Sequence, residues 1–220
     1  MSKIAIKGND SGSATFTIEA PATSTDRTLT LPDEAGTVLT SASTVAESQM
    51  FSGFANGITE LDQWRLSQSF NGPSTANQNQ VINNYWERND RASFSKIGTG
   101  LTESGGVFTY PTTGVYMIMV TFCAQCTDNN VARYFYTYTE TSDDSGSNYL
   151  FVTSTLNSLP NATSSTDFAT TTTTSIVNVT DASTFRTRFS ITTDSTNLQL
   201  AGDTTQNQTH FTFMRIGDAQ

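Results

Sequence analysis

Gly106-Val107-Phe108-Thr109-Tyr110-Pro111-Thr112-Thr113-Gly114-Val115-Tyr116-Met117-Ile118 is the stretch on which the fold turns. Apolar residues tend to alternate with polar or small ones at period two, so one set of side chains lines one face of a strand. Gly and Pro punctuate the run as turns. The alternation returns near the C-terminus in His210-Phe211-Thr212-Phe213-Met214-Arg215-Ile216-Gly217. A long alternating strand and a distant closing one predict an all-β chain folded as an antiparallel jelly-roll sandwich.

Working outward, nine strands are expected, near residues 63–70, 92–97, 107–110, 115–124, 132–139, 149–154, 168–179, 185–191 and 209–216. The segments 71–80, 128–130, 141–148, 158–166 and 193–197 between them are polar and read as loops, the usual carriers of recognition. Thr170 to Thr174 reads as strand rather than linker, because threonine is β-branched and Ser175-Ile176-Val177-Asn178-Val179 follows directly.

Composition agrees with an all-β chain. Of 220 residues, about 40 are threonine and 10% are aromatic, both at home on pleated strands. The length holds one sizeable domain and a small one. Eleven basic against 20 acidic residues give a net charge of −9, a field that repels a phosphate backbone, so nucleic acid is not an expected partner. No run approaches the ~18 apolar residues of a spanning helix, so membrane insertion is not expected either. Met1-Ser2-Lys3-Ile4-Ala5-Ile6-Lys7 has no long apolar core behind its lysines and does not read as a secretory signal.

The F-T-Y-P turn, the G-V-Y lead into a long strand and the closing F-T-F strand resemble the trimeric complement and tumour-necrosis-factor-like jelly roll, over roughly residues 61–217. A second resemblance lies at the other end. Thr15-Phe16-Thr17-Ile18 leads through Ala20-Pro21-Ala22 to Arg27-Thr28-Leu29-Thr30-Leu31-Pro32-Asp33-Glu34-Ala35-Gly36-Thr37-Val38-Leu39, which is similar to the N-terminal segment of tailed-phage fibre proteins. Asp62-Gln63-Trp64-Arg65-Leu66 and Asn84-Tyr85-Trp86-Glu87-Arg88, with Ile97-Gly98-Thr99-Gly100 after them, resemble the opening of jelly-roll modules in marine phages, notably those of cyanobacteria.

These resemblances imply three parts: residues 1–40 as a virion-attachment and assembly segment, 41–60 as a connector with a helical turn near 44–50, and 61–220 as a trimeric jelly-roll knob. Leu29, Leu31, Pro32, Gly36 and Val38 are the implied attachment residues. The implied function is that of a structural virion protein, assembled in the host cytoplasm, whose knob adheres to the host surface. Its partners are itself as a homotrimer, other virion proteins, and a host-surface glycan or receptor. The alternative is a capsid decoration or head-fibre protein, since no coiled coil or collagen-like shaft is visible. A glycan-degrading tailspike would want a long β-helix with paired carboxylates, and neither is evident.

Tyr134, Tyr136 and Tyr138 share one strand face, while Arg133, Phe135 and Thr137 take the other. Such a row suits a trimer axis, a flat binding face or plain cross-strand packing, since each ring offers apolar area and a hydroxyl. The resemblance points to the trimer, with Phe211 and Phe213 of the closing strand as further interface residues. Trp64, Tyr85 and Trp86 are read equally as core or as ligand contacts.

No catalytic, cofactor or metal residues are expected. Cys123-Ala124-Gln125-Cys126 ends a strand, where a spacing of three puts the thiols on opposite faces, and zinc wants four ligands in a chain with one histidine, His210. No G-x-S-x-G elbow offers His210 a nucleophile. The acidic loop Glu140-Thr141-Ser142-Asp143-Asp144-Ser145-Gly146 lacks the D-x-D-x-D-G spacing of a calcium loop.

Overall fold

The computed structural model of the protein describes residues 57–91, 94, 96–126, 132–159 and 166–220, with Ser11, Ala22, Ser24 and Thr25. The chain divides into two compact units, Met1–Met50 and Phe51–Gln220. The attachment residues Leu29, Leu31, Pro32, Gly36 and Val38, the expected helical turn and most of the connector lie outside the described residues.

Every regular element among the described residues is a strand: β1 (Leu61–Leu66), β2 (Gln68–Asn71), β3 (Asn79–Val81), β4 (Trp86–Arg88), β5 (Thr102–Ser104), β6 (Val107–Thr109), β7 (Gly114–Cys126), β8 (Ala132–Ser142), β9 (Leu150–Leu159), β10 (Asp167–Val179), β11 (Arg186–Thr193), β12 (Gln199–Asp203) and β13 (His210–Gly217). They form two antiparallel sheets. In the first, β10 pairs with β7 along its whole length, and the other edge of β7 is shared by β13 and β12. Beyond these lie β1 with β4, and β2. In the second sheet β9, β8 and β11 are neighbours, and the far edge of β11 is shared by β3 and the β5–β6 hairpin.

The pairing is nested. Among the eight principal strands β1 pairs with β13, β6 with β11, β7 with β10 and β8 with β9, all antiparallel. First with last, inward to the central β8–β9 hairpin, is the pattern of one long hairpin rolled into a sandwich. The fold is a jelly roll.

Strand β7 explains why the two sheets close on each other. Its inward residues Tyr116, Ile118, Val120, Phe122 and Ala124 are buried, while Val115, Met117, Thr121 and Cys123 between them stay partly exposed. Phe108 of β6 sits at the centre of the aromatic core, with ring centroids of Trp64, Phe211 and Phe213 at 5.4, 4.7 and 6.0 Å. Trp86 and Phe189 complete the cluster at 5.8 and 6.0 Å. Trp64 and Trp86 are therefore core residues. Tyr85 is 39% exposed in a left-handed conformation with φ of 67°.

Two buried charges lock the first sheet. Asp62 accepts hydrogen bonds from Trp64 Nε1 (3.0 Å), Leu101 N (2.9 Å) and Arg88 Nε (3.0 Å). Arg65, fully buried, donates to Glu87 (2.7 Å), Asn89 (3.0 Å) and Asp90 (2.6 Å), and against the lowering effect of burial the two carboxylates hold its pKa up. The charged residues around both tryptophans thus serve the fold.

Of the expected strand at 92–97, residues 92, 93 and 95 lie outside the described residues, and among 94, 96 and 97 only Ile97 pairs, as a single bridge to Leu61. The structure adds β3, β4, β5 and β12, of three to five residues each, where loops or nothing were expected. The threonine run is strand, in continuous register with β7.

Candidate functional site

The outer face of the second sheet carries the tyrosine row. β8 alternates, burying Phe135, Thr137 and Thr139 and leaving Tyr134, Tyr136 and Tyr138 half-buried on the outside. Tyr134 and Tyr136 meet edge to face at 5.6 Å, Tyr136 and Tyr138 stack at 6.0 Å with 12° between planes, and Phe151 of β9 lies 4.5 Å from Tyr138. Register extends the face sideways. Asn79, Thr192, Tyr136 and Leu156 form one line across β3, β11, β8 and β9, and Val81, Ser190, Tyr138 and Ser154 form the next.

The charges beside the row cancel. The Glu140 carboxylate, almost completely buried, accepts from Arg188 Nε at 2.9 Å and Nη2 at 2.7 Å, from Asn79 Nδ2 at 3.3 Å and from Ser190 Oγ. The Arg188 guanidinium also lies 3.6 Å over the Tyr149 ring. At the other end Tyr134 Oη donates to Asn77 Oδ1, and Arg133 pairs with Asp194 at 2.7 Å. Burial raises the Tyr138 pKa, so its hydroxyl is protonated at neutral pH.

Next to this face the 71–80 segment walls an open groove of about 490 Å³, whose lining includes Asn71, Ser74, Thr75, Gln78, Asn79 and Gln80. Six of its eight lining residues carry an amide or a hydroxyl, and Gly72 and Pro73 complete the wall. Asn79 belongs to both features, since it lines the groove and bonds to Glu140 and Thr192 on the sheet.

The first sheet presents a different outer surface. Ile176, Met117, Met214 and Leu61 follow one another across β10, β7, β13 and β1, and Ile97 extends the row beyond Leu61. Ile176 is 63% exposed and Ile97 43%. The edge strands β9 and β10 add Leu150, Val152 and Phe168, all exposed. Exposed large apolar side chains thus occur on the outer face of the first sheet and on the β9–β10 edge.

Two of the expected interface residues are misplaced. Phe211 and Phe213 are fully buried inside the sandwich, and the outward residues of β13 are His210, Thr212 and Met214. The sequence permits either phase, since Phe211 and Phe213 alternate with partners of comparable β propensity. The aromatic core takes the larger apolar pair. The three tyrosines do share one outer face.

No family model and no curated protein matches the sequence. Among solved structures the chain is similar to murine APRIL at pH 8.5, with 10% identity over 71% of this chain and 98% of that one and a TM-score of 0.49. It is also similar to the Eiger TNF from S. frugiperda, with 10% identity over 74% and 96% of the two chains and a TM-score of 0.45.

Cys126 is buried and Cys123 half-buried on the opposite face of β7, and burial pushes both thiols up. His210 Nδ1 lies 3.1 Å from the Gln208 carbonyl, across the ladder from Thr121. The acidic loop is organised by Asp144, which accepts from Ser142 Oγ (2.6 Å), Asn148 N (2.9 Å) and Asn148 Nδ2 (2.7 Å). Among the described residues no group of three or more His, Cys, Asp or Glu is placed to hold a metal ion.

Proposed function

We propose that the protein is a non-enzymatic structural component of a tailed-phage virion, in which the N-terminal segment docks to the particle and the jelly roll trimerises into an adhesive knob. The observation that carries the self-association is the apolar row Ile176, Met117, Met214, Leu61 and Ile97, with the exposed apolar edge of β9 and β10 beside it. The face of one sheet and the edge of the sandwich are different surfaces, so a contact between them is heterologous. A heterologous contact that closes makes a ring. The trimer is the ring that agrees with the complement and tumour-necrosis-factor-like resemblance.

The docking role rests on the fibre-like R-T-L-T-L-P-D-x-x-G-T-V-L run and its Leu29, Leu31, Pro32, Gly36 and Val38. Adhesion then works by avidity: three weak sites on one knob, repeated around a particle, hold a cell surface without any tight single contact. Immunogold labelling of intact particles with antibody to the C-terminal module tests the reading. Gold at the tail is the expected result; gold spread over the head replaces it with capsid decoration or a head fibre. No label, with the epitope shown to be accessible, ends the virion reading.

A further inference from the structure

We propose that the tyrosine face of β8 and the groove beside it form one binding site for a neutral glycan, with Tyr136 and Tyr138 as the stacking platform and Asn79 as the polar hinge between face and groove. The proposal deepens the adhesion reading and rests on it, but it makes its own claim about chemistry.

A pyranose ring has an apolar face of axial C–H bonds and a rim of hydroxyls. Its natural receptor is a flat aromatic surface edged with amides and hydroxyls, each fixed in place. The outer face of the second sheet supplies the surface. The rings of Tyr136 and Tyr138 are nearly parallel, 12° apart with centroids 6.0 Å apart, and Phe151, 4.5 Å from Tyr138, continues the aromatic row. All three rings stand on strands rather than loops, and the tyrosines are half-buried by their neighbours, so little side-chain freedom remains to be lost on binding. The rim is supplied by Asn79, Thr192 and Ser154, which flank the two rings in register.

Charge decides the class of glycan. Glu140 is buried and saturated by Arg188, Ser190 and Asn79, and Arg188 is spent on Glu140 and the Tyr149 ring. Arg133 is likewise paired with Asp194. A sulfated or uronic glycan therefore meets no free cation along the row, while the chain's net charge of −9 repels it. The groove has a volume within the range of ligand sites, and six of its eight lining residues carry an amide or a hydroxyl beside the apolar ring of Pro73. That lining suits a polyol better than an apolar molecule. A second copy of the chain has a better surface in the apolar row of the first sheet, so the tyrosine face need not be covered by self-association.

The test uses the full chain on an array of neutral hexose and N-acetylhexosamine oligomers, with sulfated and uronic oligomers and a proline-rich peptide alongside. Binding to neutral oligomers is expected, and titration calorimetry with the strongest of them should show affinity falling about tenfold or more in Tyr136→Leu and Tyr138→Leu. Asn79→Ala should also weaken it, while Tyr136→Phe retains most of it. Circular dichroism and light scattering on each variant separate a lost site from a lost fold. Binding confined to charged oligomers or to the peptide, no binding at all, or affinity unchanged in both leucine variants overturns the proposal. If the folded leucine variants still attach to cells as the parent does, adhesion stands and this site falls. If particles carry no label but the purified chain binds neutral oligomers through the tyrosines, the virion reading falls and this site stands.

Discussion

Ile176 of β10 lies directly opposite Met117 of β7, and both side chains point out of the sandwich. Nothing in the fold requires either to be apolar, because the core is on the other side of the sheet. Ile176→Glu and Met117→Lys are therefore expected to break self-association while leaving the monomer folded. Ile176 is 63% exposed, so the substitution costs the monomer no more than about 0.5 kcal/mol. Light scattering should show the mass of a trimer in the parent and of a single chain in the variants. An unchanged mass in both variants would move the interface elsewhere.

Phe108 tests the core. Its ring has no exposed surface and touches five other aromatic rings drawn from both sheets. Phe108→Ala is expected to cost about 3–5 kcal/mol in urea unfolding, since the rigid rings around it cannot collapse into the space. Phe168→Ala, at a position 59% exposed, should cost far less. Comparable losses at the two positions would contradict the assignment of core and surface.

The long elements were legible because alternation over eight or more residues leaves only one face to bury, as in β7 and β10. The short ones were not. β3, β4, β5 and β12 run for three to five residues through polar sequence and are strands only because a distant partner supplies the ladder, as β11 does for β3. The tyrosine row was legible from its period of two, but its surroundings were not: Asn79 and Arg188 reach Glu140 across 61 and 48 residues. The phase of β13 was misread because period two fixes two alternating sets without saying which is inside. The apolar row of the first sheet escaped for a similar reason, as it gathers single residues from separate segments.

The β5–β6 hairpin turns on Gly105 and Gly106, with φ of 60° and 80°. Two central residues in the left-handed region make the primed turn that matches strand twist. The glycines differ in their surroundings: a Cβ on Gly105 meets open space, whereas one on Gly106 overlaps the Ile82 carbonyl. Gly105→Asn is expected to be nearly neutral, because asparagine tolerates this conformation. Gly106→Ala adds a backbone clash to the left-handed penalty of about 1–2 kcal/mol and should lower the urea midpoint clearly. Equal effects from the two substitutions would mean that the hairpin does not pack against residue 82.

Asp144 predicts how the 142–148 turn responds to acid. Hydrogen bonds from the Ser142 hydroxyl first, then from the Asn148 backbone and side chain, hold its pKa down from 3.8 to about 2. These bonds favour the charged carboxylate, so the group titrates lower in the folded chain than in the unfolded one. The sign follows from linkage: the stabilisation is fully present above pH ~3.8 and is lost as the pH falls through the folded value. Because the side chain is open to solvent, the effect should be local rather than a global unfolding. The carboxyl resonance of Asp144 is expected to titrate with a midpoint near pH 2, and the amide resonances of Gly146 and Asn148, which bond to Ser142 and Asp144, should move with it. In Asp144→Asn those amide shifts should show no such step. A midpoint near 3.8 in the folded protein would mean that the turn is not held by this carboxylate.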